Sequence, residues 1–166
     1  AINYWFHTQP LQQYTFVWVV EDDVGFSGDF AGFISSYSSN EEDLIYDTKT
    51  PVADSWYWRD VHSPYFSASF TGRLVASEHV QRFSKKLLDC LHTLGKTHEC
   101  HAWSESLVPT IACHEPYKFK TYSMRKKNHV GSIFQWDGRV TEQMWRRIVT
   151  GYSLRQKNKL YHALKW

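Results

Sequence analysis

Phe16, Val17, Trp18, Val19 and Val20 form an apolar, largely β-branched run that ends abruptly in Glu21, Asp22 and Asp23. A run of this kind reads as a buried strand. Three adjoining carboxylates repel one another, so gathering them at one site needs a compensating charge. At the C-terminal mouth of an α/β sheet that charge is usually a divalent cation carrying a phosphorylated ligand. Strand alternation puts Glu21 and Asp23 on one side and turns Asp22 away. A solvated acidic turn leading into a helix is the plainer reading of the same residues.

The rest of the composition narrows the classes. A chain of 166 residues supports one domain with a real core. Its 42% hydrophobic and 17% aromatic content excludes a disordered segment. Eight tryptophans, ten tyrosines and ten phenylalanines exceed what a small core requires, so the surplus either lines a groove or makes an aromatic-rich core. Residues 1–60 hold ten acids and two bases, whereas residues 61–166 hold seven acids and seventeen bases. That asymmetry suits an anion held by a metal on one side and by lysine or arginine on the other. Aromatics in the basic half are not interleaved as a stacking platform needs, which argues against nucleic acid. Cys90, Cys100 and Cys113 form no CxxC pair, so a structural zinc knot is not expected. A Cys90–Cys100 disulfide and three free thiols both remain open. No apolar run reaches the length of a membrane span.

Along the chain, residues 1–14 read as a loop or short helix entering a strand over 14–20. Asp29 caps a helix carrying Phe30, Phe33, Ile34 and Tyr37. Residues 43–47 read as a second strand, followed by a long aromatic loop over 48–65 that could close on a ligand. Residues 66–70 alternate like a strand before a turn at Thr71 and Gly72. A helix is expected over 77–94, stopped by Gly95, with Val80, Phe83, Leu87, Leu88 and Leu91 on one face. A further helix over 101–112, bent at Pro109, and a strand over 117–122 follow. Gln135, Trp136, Asp137 and Gly138 read as a turn. A basic helix over 144–161 closes the chain, with Trp145, Ile148, Val149 and Tyr152 opposite Arg146, Arg147, Arg155 and Lys157.

The span 17–37, Val-Trp-Val-Val-Glu-Asp-Asp-Val-Gly-Phe-Ser-Gly-Asp-Phe-Ala-Gly-Phe-Ile-Ser-Ser-Tyr, resembles the metal-binding segment of GT-A glycosyltransferases. It is most similar to the inverting N-acetylglucosaminyltransferases of the N-glycan pathway. The resemblance implies a GT-A type α/β fold, a mixed sheet flanked by helices. It implies a Mn2+ or Mg2+ cofactor, with Asp23 at the metal and Glu21 and Asp22 near the sugar and ribose. It further implies a nucleotide-sugar donor such as UDP-N-acetylglucosamine, a glycan or glycoprotein acceptor, and work in the Golgi lumen behind a membrane anchor that this chain lacks. Such enzymes carry roughly a hundred residues before the acidic motif. The chain is therefore expected to be one GT-A-like domain over 1–166 without much of its N-terminal nucleotide-binding part.

Inverting transfer needs a carboxylate to take the acceptor proton. Glu105 is the candidate, in the first turn of its expected helix after Cys100, His101, Ala102, Trp103 and Ser104; Glu99 is the reserve. A helix N-terminus favours the charged form there, by about 0.3–1 kcal/mol. Late in the chain, His129 sits in a loop with Arg125, Lys126 and Lys127. Many metal-dependent members of the family use a late histidine at the metal, a role carried here to His129, with Arg125 or Lys127 steadying the diphosphate. His92, His98, His101 and His114 have no zinc-site spacing. Two rival readings stand beside the transferase. One is a divalent-metal phosphoesterase, which needs a second ligand set. The other is a non-catalytic module gripping glycan or protein through residues 56–62.

Overall fold

The computed structural model describes residues 14–134, 139–151 and 157–165. The expected segment before residue 14, the turn at 135–138, and Tyr152 and Arg155 of the tail lie outside the described residues. In chain order the first elements are β1 (Phe16–Val20), β2 (Gly25–Phe26), α1 (Phe30–Ser35), β3 (Leu44–Tyr46), β4 (Lys49–Pro51) and α2 (Pro64–Ser69). Then come β5 (Leu74–Ala76), β6 (Val80–Ser84), α3 (Lys85–Thr97), α4 (Ser104–Cys113) and β7 (Thr121–Ser123). After a 3-10 turn (Met124–Lys127) follow β8 (Val130–Phe134), β9 (Val140–Thr141), α5 (Glu142–Thr150), β10 (Leu160–His162) and β11 (Leu164–Lys165).

Alternation along the strands decides the layering. The main sheet runs β1-β6-β3-β7, antiparallel except for the parallel β3–β7 pair. Val17, Val19, Leu44 and Phe83 face one core, where Leu87, Leu88, Leu91 and Leu94 of α3 and Val108, Ile111 and Ala112 of α4 cover them. Trp18, Ile45 and Val80 face the other, against Phe33, Tyr37, Met124, Phe134 and Leu160. That second core is closed by a smaller mixed sheet, β2-β10-β8, in which β10 is antiparallel to β2 and parallel to β8. A third cluster of Val140, Ile148 and Tyr161 seats α5 over the parallel β9–β11 pair. The fold is thus α/β with mixed sheets and helices.

Arg82 of β6 crosses between layers. Its buried guanidinium donates to the carbonyls of Tyr37 at 3.0 Å, Asn40 at 2.8 Å and Glu42 at 2.9 Å, tying the end of α1 to the main sheet. Asp29 caps α1 as expected, accepting from Ala31 N at 3.0 Å.

Several sequence expectations are corrected. The segment 66–70 is helical: Ser63 caps it by accepting from Phe66 N, and Pro64 starts it with a preset φ. The helix expected over 77–94 is a strand followed by a helix. Val80 and Phe83 lie on opposite faces of β6, both buried, which imitates helical spacing. Ser84 makes the transition, its hydroxyl accepting from Leu87 N at 3.1 Å and donating to Asp43 Oδ1 at 2.8 Å. Gly95 does not stop α3, which continues to Thr97. The long loop over 48–65 contains β4, paired with β5. Among the described residues, the basic tail is helical over Glu142–Thr150 and ends in strands. Cys90, Cys100 and Cys113 are free thiols.

Ser84→Ala discriminates the two assignments. In mid-helix alanine would be neutral or stabilising. As the cap of α3 its loss should cost about 1–2 kcal/mol in urea unfolding.

Candidate functional site

Two backbone hydrogen bonds build the site from three distant segments. Glu21 N donates to His79 O at 2.9 Å, and Leu164 N donates to Asp23 O at 2.8 Å. They set the end of β1 between the residue entering β6 and the β10–β11 segment. Glu21 and Asp23 both meet His162 there, and Asp22 is exposed.

His162 Nε2 stands 3.3 Å from Asp23 Oδ1 and 3.4 Å from Glu21 Oε2. His79 Nδ1 lies 2.5 Å from Glu21 Oε2. Lys165 Nζ lies 2.5 Å from Asp23 Oδ2. Both imidazoles are buried and stack with centroids 3.5 Å apart and planes 16° from parallel. Phe134 closes the stack edge-on to His79 at 5.6 Å. Among the described residues, Glu21, His79 and His162 form a group whose ligand atoms all lie within 4.8 Å of one another.

Electrostatics sorts these groups. Burial pushes the Asp23 carboxyl up, but Lys165 and His162 outweigh it and hold the group below its usual range. Burial depresses His79 and His162 adds to that, against the pull of Glu21, so His79 is neutral at neutral pH. Its contact with Glu21 is therefore a hydrogen bond from Nδ1–H rather than an ion pair. Its Nε2 is buried without a hydrogen-bond partner.

The donor set fits a divalent cation. Carboxylate and imidazole donors without thiolate suit a divalent cation such as manganese, iron or zinc and do not select among them. Ligand atoms about 2.1 Å from one ion and at right angles are about 3.0 Å apart, close to the separations around His162 Nε2. An imidazole lone pair lies in the ring plane. Two rings stacked 3.5 Å apart and nearly parallel cannot both aim at one ion. Within that group Glu21 and His162 are consequently the ligand candidates, with His79 holding Glu21 and the His162 ring in place; Asp23 contacts His162 but is not one of the group.

Glu105, at the start of α4, is the nearby carboxyl. Burial raises its pKa to about 7, with the Glu78 and Glu21 charges adding to the rise and a hydrogen bond from the Trp103 side chain opposing it. The expectation that the helix N-terminus would keep it readily ionised is thus reversed by burial and like charge. Glu99 is exposed, with φ at 49°.

The structure does not gather every expected residue. His129 bonds through Nδ1 to the Tyr37 hydroxyl at 2.9 Å and packs against Phe26 and Phe33, outside the ligand group. Burial, with Lys127 and Lys159, lowers its pKa. Arg125 pairs with buried Asp47 at 3.5 Å. Lys127 bonds to Ser36 O and to Asn40 Oδ1, beyond the end of α1. The late histidine beside Asp23 is instead His162. Neither it nor His79 carries a local signal, because their carboxylate partners lie from 58 to 141 residues away in sequence and are brought adjacent only by the docking of β10 and the entry into β6.

Compared with known proteins, the chain matches no family model, no curated protein and no solved structure at a significant level.

The raised Glu105 pKa has a measurable consequence for stability. The folded chain holds this proton up to about 7, whereas the unfolded chain releases it near 4.5, so stability falls as pH rises through that interval. Glu105→Gln should flatten this decline in metal-free melting curves between pH 5 and 8. An unchanged slope would contradict the buried, charge-crowded placement.

Proposed function

We propose that this chain is a metal-dependent, inverting glycosyltransferase of GT-A type, moving a sugar from a nucleotide-sugar, UDP-N-acetylglucosamine or a relative, to a glycan hydroxyl. The observation that carries the reading is His162 Nε2 3.3 Å from Asp23 Oδ1, at the end of the very strand whose sequence resembles that family. A bound Mn2+ or Mg2+ would supply positive charge for the donor diphosphate. Asp23 and His162 would hold it, with Glu21 as a third ligand kept in position by His79.

Glu105 supports the same reading. A general base works best with a pKa near the operating pH, and burial sets this one at about 7. Its carboxylate takes the proton of the acceptor hydroxyl as that oxygen bonds to the anomeric carbon. The bond from that carbon to the diphosphate oxygen breaks on the opposite side, which inverts the configuration. Glu78 and Glu21 hold negative charge nearby and favour the proton's arrival on Glu105. Arg125 and Lys127 are engaged with other partners, so steadying of the diphosphate is not assigned to them. A Golgi compartment rests on the family resemblance alone; no described helix is long and apolar enough to cross a membrane.

Two measurements test the proposal. Calorimetric titration with UDP and GDP, each with and without manganese, should show manganese-dependent binding. Asp23→Asn and His162→Ala should abolish it, and His79→Ala should weaken it by about 10- to 100-fold. Absence of binding by every nucleotide diphosphate would sink the transferase reading. In a transfer assay, Glu105→Gln should retain nucleotide binding and lose about 10²- to 10⁴-fold in turnover.

A further inference from the structure

A second surface lies beside the candidate base. Tyr57 is 81% exposed and Trp103 36%, and Trp58 between them is half-buried. The indoles of Trp58 and Trp103 stack with centroids 4.3 Å apart and planes 6° from parallel. Tyr57 stands edge-on to Trp58 at 4.5 Å. Neither tryptophan belongs to any of the three hydrophobic cores. Aromatic area left in water costs about 25 cal/mol per Å² relative to burial, so a stacked, wet set of rings is unusual without an occupant.

This surface is held rigidly. Trp103 N donates to Val61 O at 3.3 Å and Ser63 N to His101 O at 2.7 Å, stapling the loop that carries Tyr57 and Trp58 to the segment entering α4. Arg59 braces the loop through Asp54 at 2.9 Å and Asp60 at 3.1 Å, and Arg73 donates to Arg59 O at 2.7 Å. The platform is also wired to chemistry. Trp103 precedes Glu105 by two residues at the start of α4, and its side chain favours the charged form of the Glu105 carboxyl.

We infer that Tyr57, Trp58 and Trp103 form the acceptor subsite, a stacking platform for a pyranose ring of the glycan that presents its hydroxyl to Glu105. One face of such a ring carries C–H bonds and packs on flat aromatic carbon, whereas its rim carries hydroxyls. Asp54, Asp60 and Arg59, on the same loop as Tyr57 and Trp58, are the charged groups available to such a rim. Two rigid aromatic anchors with few rotamers lose little entropy on binding. The role of Glu105 rests on the transferase reading; the recognition of glycan by the rings does not.

The test separates the two. The protein is applied in chelator, without donor, to an array of high-mannose, N-acetylglucosamine-terminated and galactose-terminated oligosaccharides. The best probe is then titrated with tryptophan fluorescence as the readout. Binding is expected, with at least a tenfold loss of affinity in Tyr57→Ala and in Trp58→Ala and no change in manganese-dependent UDP binding. Tyr57 is exposed, so its variant carries no folding risk. Unchanged glycan affinity in both variants would overturn the assignment. So would an empty array from protein that binds UDP with manganese, an outcome that leaves the transferase reading standing. Glycan binding lost in Tyr57→Ala, from protein that binds no nucleotide, supports the platform and removes the transferase reading instead.

Discussion

The site depends on a backbone clamp. With Glu21 N on His79 O and Leu164 N on Asp23 O, the acidic turn is fixed by main-chain bonds before any side chain is considered. Side chains alone would not keep two carboxyls close together, because their mutual repulsion favours spreading. The clamp imposes the proximity and His162, His79 and Lys165 relieve it, each from a segment delivered by the fold. Burial of the two imidazoles beneath Phe134 then removes water that would otherwise screen these charges.

That clamp in turn needs both sheets. The antiparallel β1–β6 ladder sets residue 79 opposite residue 21, since Val20 pairs with Val80. The β10 strand reaches Asp23 because it lies between β2 and β8, under the second core. Arg82 adds the third constraint by holding the end of α1 to β6 through three carbonyls, which keeps Phe33 and Tyr37 over Trp18.

Local features were legible in the sequence where local physics decides them. The β1 strand, the opposite aim of Asp22, the Asp29 cap and the placement of Glu105 in the first turn of a helix all follow from neighbours within a few residues. The misreadings have a physical pattern. At Val80 and Phe83 a strand buried on both faces has no polar alternation, so its apolar spacing passes for that of a helix. At 63–69 the alternation of large and small residues outweighed a cap-and-proline start signal that was present in Ser63 and Pro64. The two site histidines were illegible for another reason. His79 and His162 acquire meaning only from the pairing of β1 with β6 and the docking of β10, which no window along the chain contains. His129 drew attention through its basic loop, yet its ring is spent on Tyr37 and the second core.

One feature of the β10–β11 segment reaches beyond geometry. The residues that meet at Asp23 come from positions 21, 79, 162 and 164–165, so the assembly closes only after the β10–β11 segment has docked on the end of β1. A nascent chain can pair β1 with β6 long before that. The charged pocket therefore forms only once the β10–β11 segment docks, and an intermediate in which β1 and β6 alone have paired would hold the acidic turn without His162 or Lys165 to relieve its repulsion.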